Sequence, residues 1–292
     1  MKKITYVIFS SLILFALAGC QEVNNEISEG NSTKETSIVD ESLKDEDKKD
    51  VIDAENELVD ISEPEQVEEN QEILYQLHPD RWSLKPLKDD INDQVVLLTI
   101  DDAPEDQALN MAKTLKKLDA PAIFFVNGHF LETKEEQEQL REIYEMGFAI
   151  GNHTYYHQKL SDVGEDKQKQ EILQLNDLIE EIIDEKPVFF RAPHGDNTDY
   201  VKELVEEQGM LLMNWTYGYD YFEPYMDADK LKEAMISGEG PEAGVDYSLL
   251  KPGAILLMHD RDWTAEALED IVKGLREQGY EFVEPETIQI TE

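Results

Sequence analysis

The sequence contains little cysteine and little basic charge. Cysteine occurs once in 292 residues, so no disulfide can form within the chain. Lysine and arginine number 26 against 66 aspartates and glutamates, which gives a formal net charge of -40. Such a chain repels nucleic-acid phosphates and anionic bilayers, so a nucleic-acid partner or a basic membrane-binding face is not expected. A Gly-x-Ser-x-Gly motif is also missing, which argues against a serine esterase.

The first twenty residues predict a bacterial secretion signal. Two lysines precede an apolar run from Ile4 to Ala18, which is too short to cross a bilayer comfortably. The segment Leu17-Ala18-Gly19-Cys20 resembles the lipobox of bacterial lipoproteins, in which the cysteine is lipidated and becomes the mature N-terminus. The alternative is a simple cleaved signal peptide with an incidental cysteine. We therefore expect residues 1–20 to be a lipoprotein signal peptide and Cys20 to anchor the protein on the extracellular side of the cell membrane.

Residues 21–72 are acidic and contain too little apolar surface to fold. Positions 21 to 70 hold 18 acidic and 4 basic residues, one glycine, one proline and no aromatic residue. We predict a disordered tether, which its like charges extend. Residues 73–292 are then the folded domain. From position 71 onward the chain still has 48 acidic and 20 basic residues, so the surface of this domain should also be acidic.

From about position 94, short apolar runs alternate with longer amphipathic stretches. This alternation is typical of parallel strands joined by helices. The predicted strands are 95–100, 122–126, 148–151, 188–190, 211–215, 254–258 and 280–283. The clearest predicted helices are 106–118, 134–146, 167–184 and 264–278. Seven such units in about two hundred residues favour a single α/β domain of the barrel type, with an open doubly wound sheet as the alternative.

Reactive side chains follow several of the predicted strands. In both α/β architectures the active site lies beyond the carboxyl ends of the strands. We therefore expect these side chains to meet at one end of the sheet. The residues at these positions are Asp101, Asp102, His153, Arg191, Asp220, His259 and Asp260.

The spacing of two histidines indicates a metal site. His153 and His157 lie four residues apart, which places both imidazoles on one face of a helical turn. In a chain with six histidines such a pair also arises by chance, so the nearby carboxylates matter. Two imidazoles and one carboxylate leave an open position for water, which suits Zn²⁺ and is tolerable for Co²⁺ or Ni²⁺. Because adjacent residues leaving a strand point to opposite sides, one of Asp101 and Asp102 can bind the metal while the other accepts a proton.

Four motifs in order resemble those of the polysaccharide deacetylases of the NodB homology class, carbohydrate esterase family 4. They are Thr99-Ile100-Asp101-Asp102-Ala103-Pro104, His153-Thr154-x-x-His157, Arg191-Ala192-Pro193-His194 and Leu256-Leu257-Met258-His259. The resemblance runs from about position 95 to the C-terminus and implies a distorted (β/α)₇ barrel of the NodB type. It also implies one divalent metal ion, Zn²⁺ first, with Co²⁺, Ni²⁺ or Mn²⁺ as alternatives.

The resemblance implies a role for each motif residue. Asp101 corresponds to the general base, Arg191 to the arginine that pairs with this base, and His259 to the general acid. The fourth motif is altered in this sequence, and we assign Asp220 within it to holding His259 in its acidic form. The implied metal ligands are Asp102, His153 and His157.

Two departures from the family pattern concern the substrate groove. Ala103 replaces a glycine, which changes little unless the backbone there needs a positive φ. His194 replaces a tyrosine, so the implied backbone amide that polarises the acetyl carbonyl is kept while the side chain is altered. Aromatic residues after the fifth strand could stack on sugar rings, although such residues are more often core. We assign Pro193, His194, Trp215 and Tyr221 to the groove.

These residues predict a metal-dependent hydrolase that removes N-acetyl groups from a cell-wall or chitin-like polysaccharide. The aspartate base and the histidine acid would act on a water bound to the metal. A membrane-anchored protein would meet the cell wall, so N-acetylglucosamine in peptidoglycan is the first expected substrate, before chitin oligomers and acetylated xylan. No protein partner is indicated.

Two other functions compete with this prediction. A glycosidase needs two carboxylates and no metal, which leaves the histidine pair without a role. A catalytically weak or inactive glycan-binding surface lipoprotein has no physical need for a base, an acid and an open metal site together.

Overall fold

The computed structural model describes residues 72–78 and 80–290, all within the unit Gln66–Glu292. The predicted signal peptide, Cys20 and nearly all of the acidic tether lie outside the described residues. Within the described ranges, no helix combines the length and apolar character needed to cross a membrane.

The apolar runs of the described residues form one nine-stranded sheet. Its order is β1-β2-β8-β3-β4-β5-β6-β7, and β9 pairs with the start of β3. All pairs from β8 through β7 are parallel, whereas β1 and β2 form an antiparallel hairpin at one edge. The strands are β1 (Tyr75–His78), β2 (Ser83–Pro86), β3 (Val95–Ala103), β4 (Ala122–Val126), β5 (Ala149–Asn152), β6 (Phe189–Phe190), β7 (Leu211–Leu212), β8 (Ala254–His259) and β9 (Glu281–Phe282).

The central strands are buried on both faces, which explains why their sequences are almost continuously apolar. Every residue of β3 and β4 is buried. Alternate residues of β3 belong to two different hydrophobic clusters, because successive side chains of a strand point to opposite faces of the sheet. Val96, Leu98 and Ile100 pack with the helices, against residues such as Met111, Leu115 and Leu268. Val95 and Leu97 pack on the other face, with Ile123, Phe125, Phe189 and Ile255.

The sheet curls until the chain that leaves its last strand returns to β8. After β7, the Thr216 amide donates to the Ile255 carbonyl at 2.8 Å, and the Leu257 amide donates to the Tyr217 carbonyl at 2.9 Å. An isolated parallel bridge, Tyr217 to Leu256, results. The predicted α/β architecture, a distorted barrel, is confirmed. All seven predicted strands are present, and six of them, β3 to β8, are each followed by an α-helix before the next strand. The fifth predicted strand is shorter than expected because the chain turns away after Leu212 to make this bridge.

Helices cover the outside of the curled sheet. Their bounds are α1 (Ala108–Lys117), α2 (Lys134–Glu145), α3 (Glu165–Ile183), α4 (Asp199–Glu207), α5 (Ala228–Ser237) and α6 (Asp262–Glu277). Helix α2 begins with a capping box in which Thr133 and Glu136 each bond the other's backbone amide. The four predicted helices correspond to α1, α2, α3 and α6, and the structure adds α4 and α5.

The antiparallel hairpin β1–β2 was not predicted. It packs beside β8 through the pair Ser83 and Ala254. Gly253 has φ 77°, and a Cβ atom at this position would lie 1.9 Å from the Leu84 carbonyl oxygen. Only glycine therefore allows the hairpin to approach the start of β8 so closely.

Candidate active site and metal centre

The carboxyl ends of the parallel strands meet at a cleft of about 550 Å³. A larger cavity of about 780 Å³ lies at the opposite ends of β5 and β6, beside Phe148 and Val188, and contains none of the predicted site residues. The cleft is therefore the candidate active site. The predicted residues that line it are Asp101, Asp102, His153, His157, His194, Trp215, Asp220, Tyr221 and His259.

Three side chains in the cleft form a group suited to a metal ion. One potential ligand atom from each of Asp102, His153 and His157 lies within 4.8 Å of the other two. The Asp102 Oδ1 atom is 3.4 Å from His157 Nε2 and 3.8 Å from His153 Nε2. Two imidazole nitrogens and one carboxylate oxygen are the donor set of catalytic zinc sites with an open position. The residues present therefore fit the predicted divalent ion.

The tautomer of His153 also suits a metal ligand. Its Nδ1 atom is 2.8 Å from the Arg191 carbonyl oxygen, which can only accept a hydrogen bond. The proton must therefore be on Nδ1, and the lone pair of Nε2 faces Asp102. Burial lowers the pKa of His153 to about 3, and burial also lowers the pKa of His157. Both imidazoles are thus kept in the neutral form that binds metals.

The loop that carries both histidines is not helical, so the predicted helical turn is wrong. Thr154 and His157 have φ values of 70° and 53°, in the left-handed region. These two residues turn the chain so that both imidazoles face Asp102. Helix α3 holds the loop, because the buried Glu171 carboxylate accepts from the Tyr156 amide at 2.7 Å.

The two adjacent aspartates point into the same cleft, whereas a regular strand would send them to opposite sides. Asp101 Oδ2 is 3.6 Å from His153 Nε2, as close as the Asp102 carboxylate. The cause is local: Asp102 has φ 62°, and the pairing of β3 with β4 shifts register between Ile100 and Ala103. Ala103 itself is not among the residues with positive φ, so its replacement of glycine adds no backbone strain.

Arg191 fixes the orientation of Asp101. The guanidinium is fully buried, and its Nη1 atom donates to Asp101 Oδ1 at 2.6 Å and to Thr99 Oγ1 at 2.8 Å. Its other nitrogens donate to the carbonyl oxygens of Met213 and Asn214. Burial raises the pKa of the Asp101 carboxyl, and the attraction of Arg191 opposes this effect without cancelling it. Asp101 is therefore a rigidly held carboxylate with increased basicity.

Asp220 bonds both the side chain and the backbone of His259. Its Oδ1 atom accepts from His259 Nδ1 at 2.8 Å, and its Oδ2 atom accepts from the His259 amide and from Thr264 Oγ1. Burial lowers the pKa of His259, but the Asp220 carboxylate, with smaller contributions from Asp101 and Asp102, raises it to about 9. The imidazole is therefore positively charged at neutral pH in the metal-free protein, and Nε2 is the nitrogen that Asp220 does not occupy.

The aromatic segment after β7 divides between the core and the cleft. Tyr217 and Tyr219 are each 2% exposed, and their hydroxyls donate to the carbonyl oxygens of residues in and after α5. These two tyrosines cannot stack on a substrate. Trp215 and Tyr221 line the cleft, and the Tyr221 ring lies 5.6 Å from the His259 ring.

His194 follows the buried Pro193 and is exposed at the edge of the cleft. It has φ 59°, and its ring centroid lies 5.0 Å from that of His157. His194 is not one of the three potential metal ligands, which are Asp102, His153 and His157.

The sequence did not predict the contacts of the two residues that follow His259, which are Asp260 and Arg261. Asp260, expected beside the active site, instead holds the turn that leads into α1, because its carboxylate accepts from the amides of Glu105, Asp106 and Gln107. Arg261, which follows β8, contacts Asp102 at the end of the adjacent strand β3, with 2.9 Å between Nη2 and Oδ2. Their positions directly after a strand-end histidine were the only available signal, and that signal does not distinguish a turn contact from a ligand contact.

Known proteins share this fold and its motifs. A family model for polysaccharide deacetylases matches residues 88–213. A peptidoglycan-N-acetylglucosamine deacetylase of Bacillus cereus is 30% identical over 198 residues, which cover 65% of this chain and 68% of the relative. A peptidoglycan-N-acetylmuramic acid deacetylase of Bacillus subtilis is 26% identical over 196 residues, covering 65% of this chain and 69% of that protein.

Among solved structures, a carbohydrate esterase family 4 pseudoenzyme from Bacillus anthracis has a TM-score of 0.57 and 29% identity to this chain. The match covers 65% of this chain and 63% of that protein, which is less than two thirds of its length. A mutant form of that pseudoenzyme, with restored enzymatic activity, is 30% identical. The barrel, the ordered motifs and these relatives show that the chain belongs to the polysaccharide deacetylase family, the NodB class of carbohydrate esterase family 4.

Proposed function

We propose that this protein is a metal-dependent N-deacetylase of peptidoglycan, with N-acetylglucosamine as the preferred amino sugar. One observation carries the proposal: the Asp101 carboxylate, the His259 imidazole and the three potential metal ligands Asp102, His153 and His157 face the same cleft. The names of the similar proteins support a peptidoglycan substrate, since they include deacetylases of both N-acetylglucosamine and N-acetylmuramic acid.

Asp102, His153 and His157 would hold one divalent ion, for which Zn²⁺ is the first candidate. When bound, this ion supplies Lewis-acid chemistry that polarises the acetyl carbonyl and makes water more acidic. The protein itself contributes the base. Asp101 lies 3.6 Å from His153, so it can take the proton of a water held beside the ligands. Arg191 keeps the Asp101 carboxylate turned toward that position.

The leaving nitrogen needs a proton as the amide C–N bond breaks. His259 faces the cleft and is charged at neutral pH in the metal-free protein, so Nε2 is placed to donate this proton. The backbone amide of His194 would donate to the acetyl oxygen while negative charge develops there. The products are acetate and a glycan with a free amine.

A second function is a glycan-binding protein with weak or no turnover. The pseudoenzyme relative and the replacement of tyrosine by His194 favour this alternative. Against it, the described cleft retains the base, the acid and the three potential ligands together.

Acetate release by the full chain distinguishes the two functions. We would incubate it with peptidoglycan and with N-acetylglucosamine oligomers, with and without chelator, and identify the deacetylated sugar by mass spectrometry of the fragments. We expect release that chelator abolishes and added Zn²⁺ restores. Asp101→Asn should lower the rate by at least about 100-fold while metal still binds, because only the base is lost. His153→Ala should lose metal and activity together.

Matched controls lie outside the cleft. Asp199 is an exposed aspartate in α4 and His78 ends β1, so Asp199→Asn and His78→Ala should retain wild-type rates. Metal-loaded protein that releases no acetate from any acetylated glycan would instead establish the binding protein. Release from N-acetylmuramic acid alone would overturn the proposed sugar preference.

We also propose that the protein is a lipoprotein anchored through Cys20, with residues 21–72 as a spacer to the cell wall. The support is the sequence alone, since Cys20 and residues 21–71 lie outside the described residues. Wild-type protein should partition with membranes and carry a lipid on its N-terminal cysteine, as measured by mass spectrometry. Cys20→Ser should not be lipidated. An unlipidated wild-type protein in the medium would show a simple cleaved signal peptide instead.

A further inference from the structure

We propose that Arg261 is a positioning residue that restricts Asp102 to one metal-facing oxygen and thereby sets the metal preference of the site. The inference rests on the metal centre proposed above. Arg261 precedes α6 in an extended conformation and is 31% exposed at the side chain. From there its guanidinium reaches the end of the neighbouring strand β3, where Asp101 is the register partner of His259.

The guanidinium joins the carboxylate of Asp102, at the end of β3, to that of Glu105, in the loop that follows. Nη2 donates to Asp102 Oδ2 at 2.9 Å, and Nη1 contacts Glu105 Oε2. Nη1 also donates to the Asp260 carbonyl oxygen at 3.1 Å, which holds the side chain near its own backbone. An arginine makes these contacts simultaneously because its donors are arranged in a rigid planar fork. A lysine has one ammonium group and cannot bridge the two carboxylates in the same way.

The two oxygens of Asp102 therefore have different surroundings. Oδ1 faces His157 Nε2 at 3.4 Å and His153 Nε2 at 3.8 Å. Oδ2 is occupied by Arg261 on the far side. A metal ion placed among the three ligands can consequently reach Oδ1 without competition, whereas binding to both oxygens requires displacing the guanidinium.

One-oxygen binding favours some ions over others. Two imidazoles and a single carboxylate oxygen leave few protein ligands, as in four-coordinate zinc sites. Binding through both carboxylate oxygens raises the coordination number, which suits Mn²⁺ and other ions that prefer six oxygen-rich ligands. Arg261 should therefore favour Zn²⁺ over Mn²⁺ by holding Oδ2 away from the ion.

The charge of Arg261 has a separate effect that can be removed from the measurement. A nearby guanidinium repels every divalent cation to a similar extent, because all of them carry the same charge. Replacing it changes the affinities for Zn²⁺ and Mn²⁺ in the same direction. The ratio of the two affinities therefore reports the coordination of Asp102.

The test compares wild type, Arg261→Met and Arg261→Lys as full chains stripped of metal. Affinities for Zn²⁺ and Mn²⁺ are measured by competition with a chromophoric chelator, and coordination is followed by the visible absorption of the Co²⁺-loaded protein. For Arg261→Met we expect the Zn²⁺-to-Mn²⁺ affinity ratio to fall about 10-fold, in line with other outer contacts of metal ligands. The cobalt absorption should weaken, since higher-coordinate Co²⁺ absorbs less strongly. Arg261→Lys should shift the ratio in the same direction while preserving the positive charge.

Arg141→Met is the matched control, because Arg141 lies on α2 and also neighbours a carboxylate, that of Glu138, but does not line the cleft. Its affinity ratio should equal that of wild type. An unchanged ratio and cobalt spectrum in folded Arg261→Met would overturn the inference and reduce Arg261 to a link between two loops. Failure of wild type to bind any of the ions would instead refute the proposed metal centre, so the two failures are distinguishable.

Discussion

Replacing Asp220 by asparagine should convert His259 from a charged to a neutral imidazole at neutral pH. In the metal-free protein burial lowers the pKa of His259, but nearby carboxylates, above all that of Asp220, raise it to about 9. Asparagine is nearly isosteric and keeps an oxygen acceptor, but it removes the negative charge 2.8 Å from Nδ1. The burial of His259 remains. The carboxylates of Asp101 and Asp102 continue to raise its pKa, so the pKa should fall from about 9 toward the ordinary value of 6.5.

The size of the effect follows from the two pKa values. One pH unit corresponds to about 1.4 kcal/mol, so the difference between about 9 and 6.5 represents about 3 kcal/mol in favour of the charged form. A general acid must be protonated, so kcat/KM should fall as pH rises through the pKa of His259. In Asp220→Asn this fall should occur about two pH units lower than in wild type. A bound divalent cation lowers the pKa in both proteins, so the difference between them carries the prediction.

NMR titration of the histidine ring signals in the chelator-treated protein measures this pKa directly. His259→Gln identifies the signal, since the chain has six histidines. The pH profile of acetate release from metal-loaded protein gives the kinetic counterpart. A His259 pKa that differs between wild type and Asp220→Asn by less than about half a pH unit would refute the reasoning, because the carboxylate would then not be the source of the raised value.

Three further predictions concern stability. Because the pKa of His259 is raised on folding, the stability that this residue contributes is present below about pH 6.5 and is lost as pH rises to about 9. Chemical denaturation of the metal-free wild-type protein at several pH values should show this loss, whereas His259→Gln should not. Arg191→Met leaves the Asp101 carboxylate buried without its partner, and the free energy of unfolding should fall by about 3–5 kcal/mol in the same assay. Asp260→Ala removes the carboxylate that holds the turn before α1 and should lower the melting temperature, with a loss of about 1–3 kcal/mol of unfolding free energy, while an unchanged melting temperature would show that water replaces the carboxylate.

Much of the fold could be predicted because buried parallel strands have a distinctive sequence. The runs at 95–100 and 122–126 are almost entirely apolar, and both are central strands of the sheet. The hairpin β1–β2 was harder to predict. Each of its strands has four residues, of which only one is buried, Tyr75 in β1 and Leu84 in β2, so no periodic pattern marks them. Its place beside β8 depends on a contact between residues about 170 apart in the sequence, which local patterns do not encode.

The candidate site was predictable in its members but not in its local geometry. Side chains at the ends of parallel strands converge for topological reasons, which is why Asp101 and His259 could be placed together. The turn between His153 and His157 could not be predicted, because non-glycine residues in left-handed backbone leave no signal in the sequence. Arg261 has the same limitation, since an arginine after a strand is compatible with many partners.

The left-handed residues around the cleft set a limit on engineering this protein. Asp102, Thr154, His157 and His194 each hold a backbone conformation that costs a non-glycine residue about 1–3 kcal/mol. Glycine relieves that strain at any of the four, so laboratory evolution under heat alone should enrich glycine at these positions. At Asp102 and His157 the same change would delete a potential metal donor. A selection for heat resistance should therefore be paired with a selection for turnover, or the most durable variants will be the least active ones.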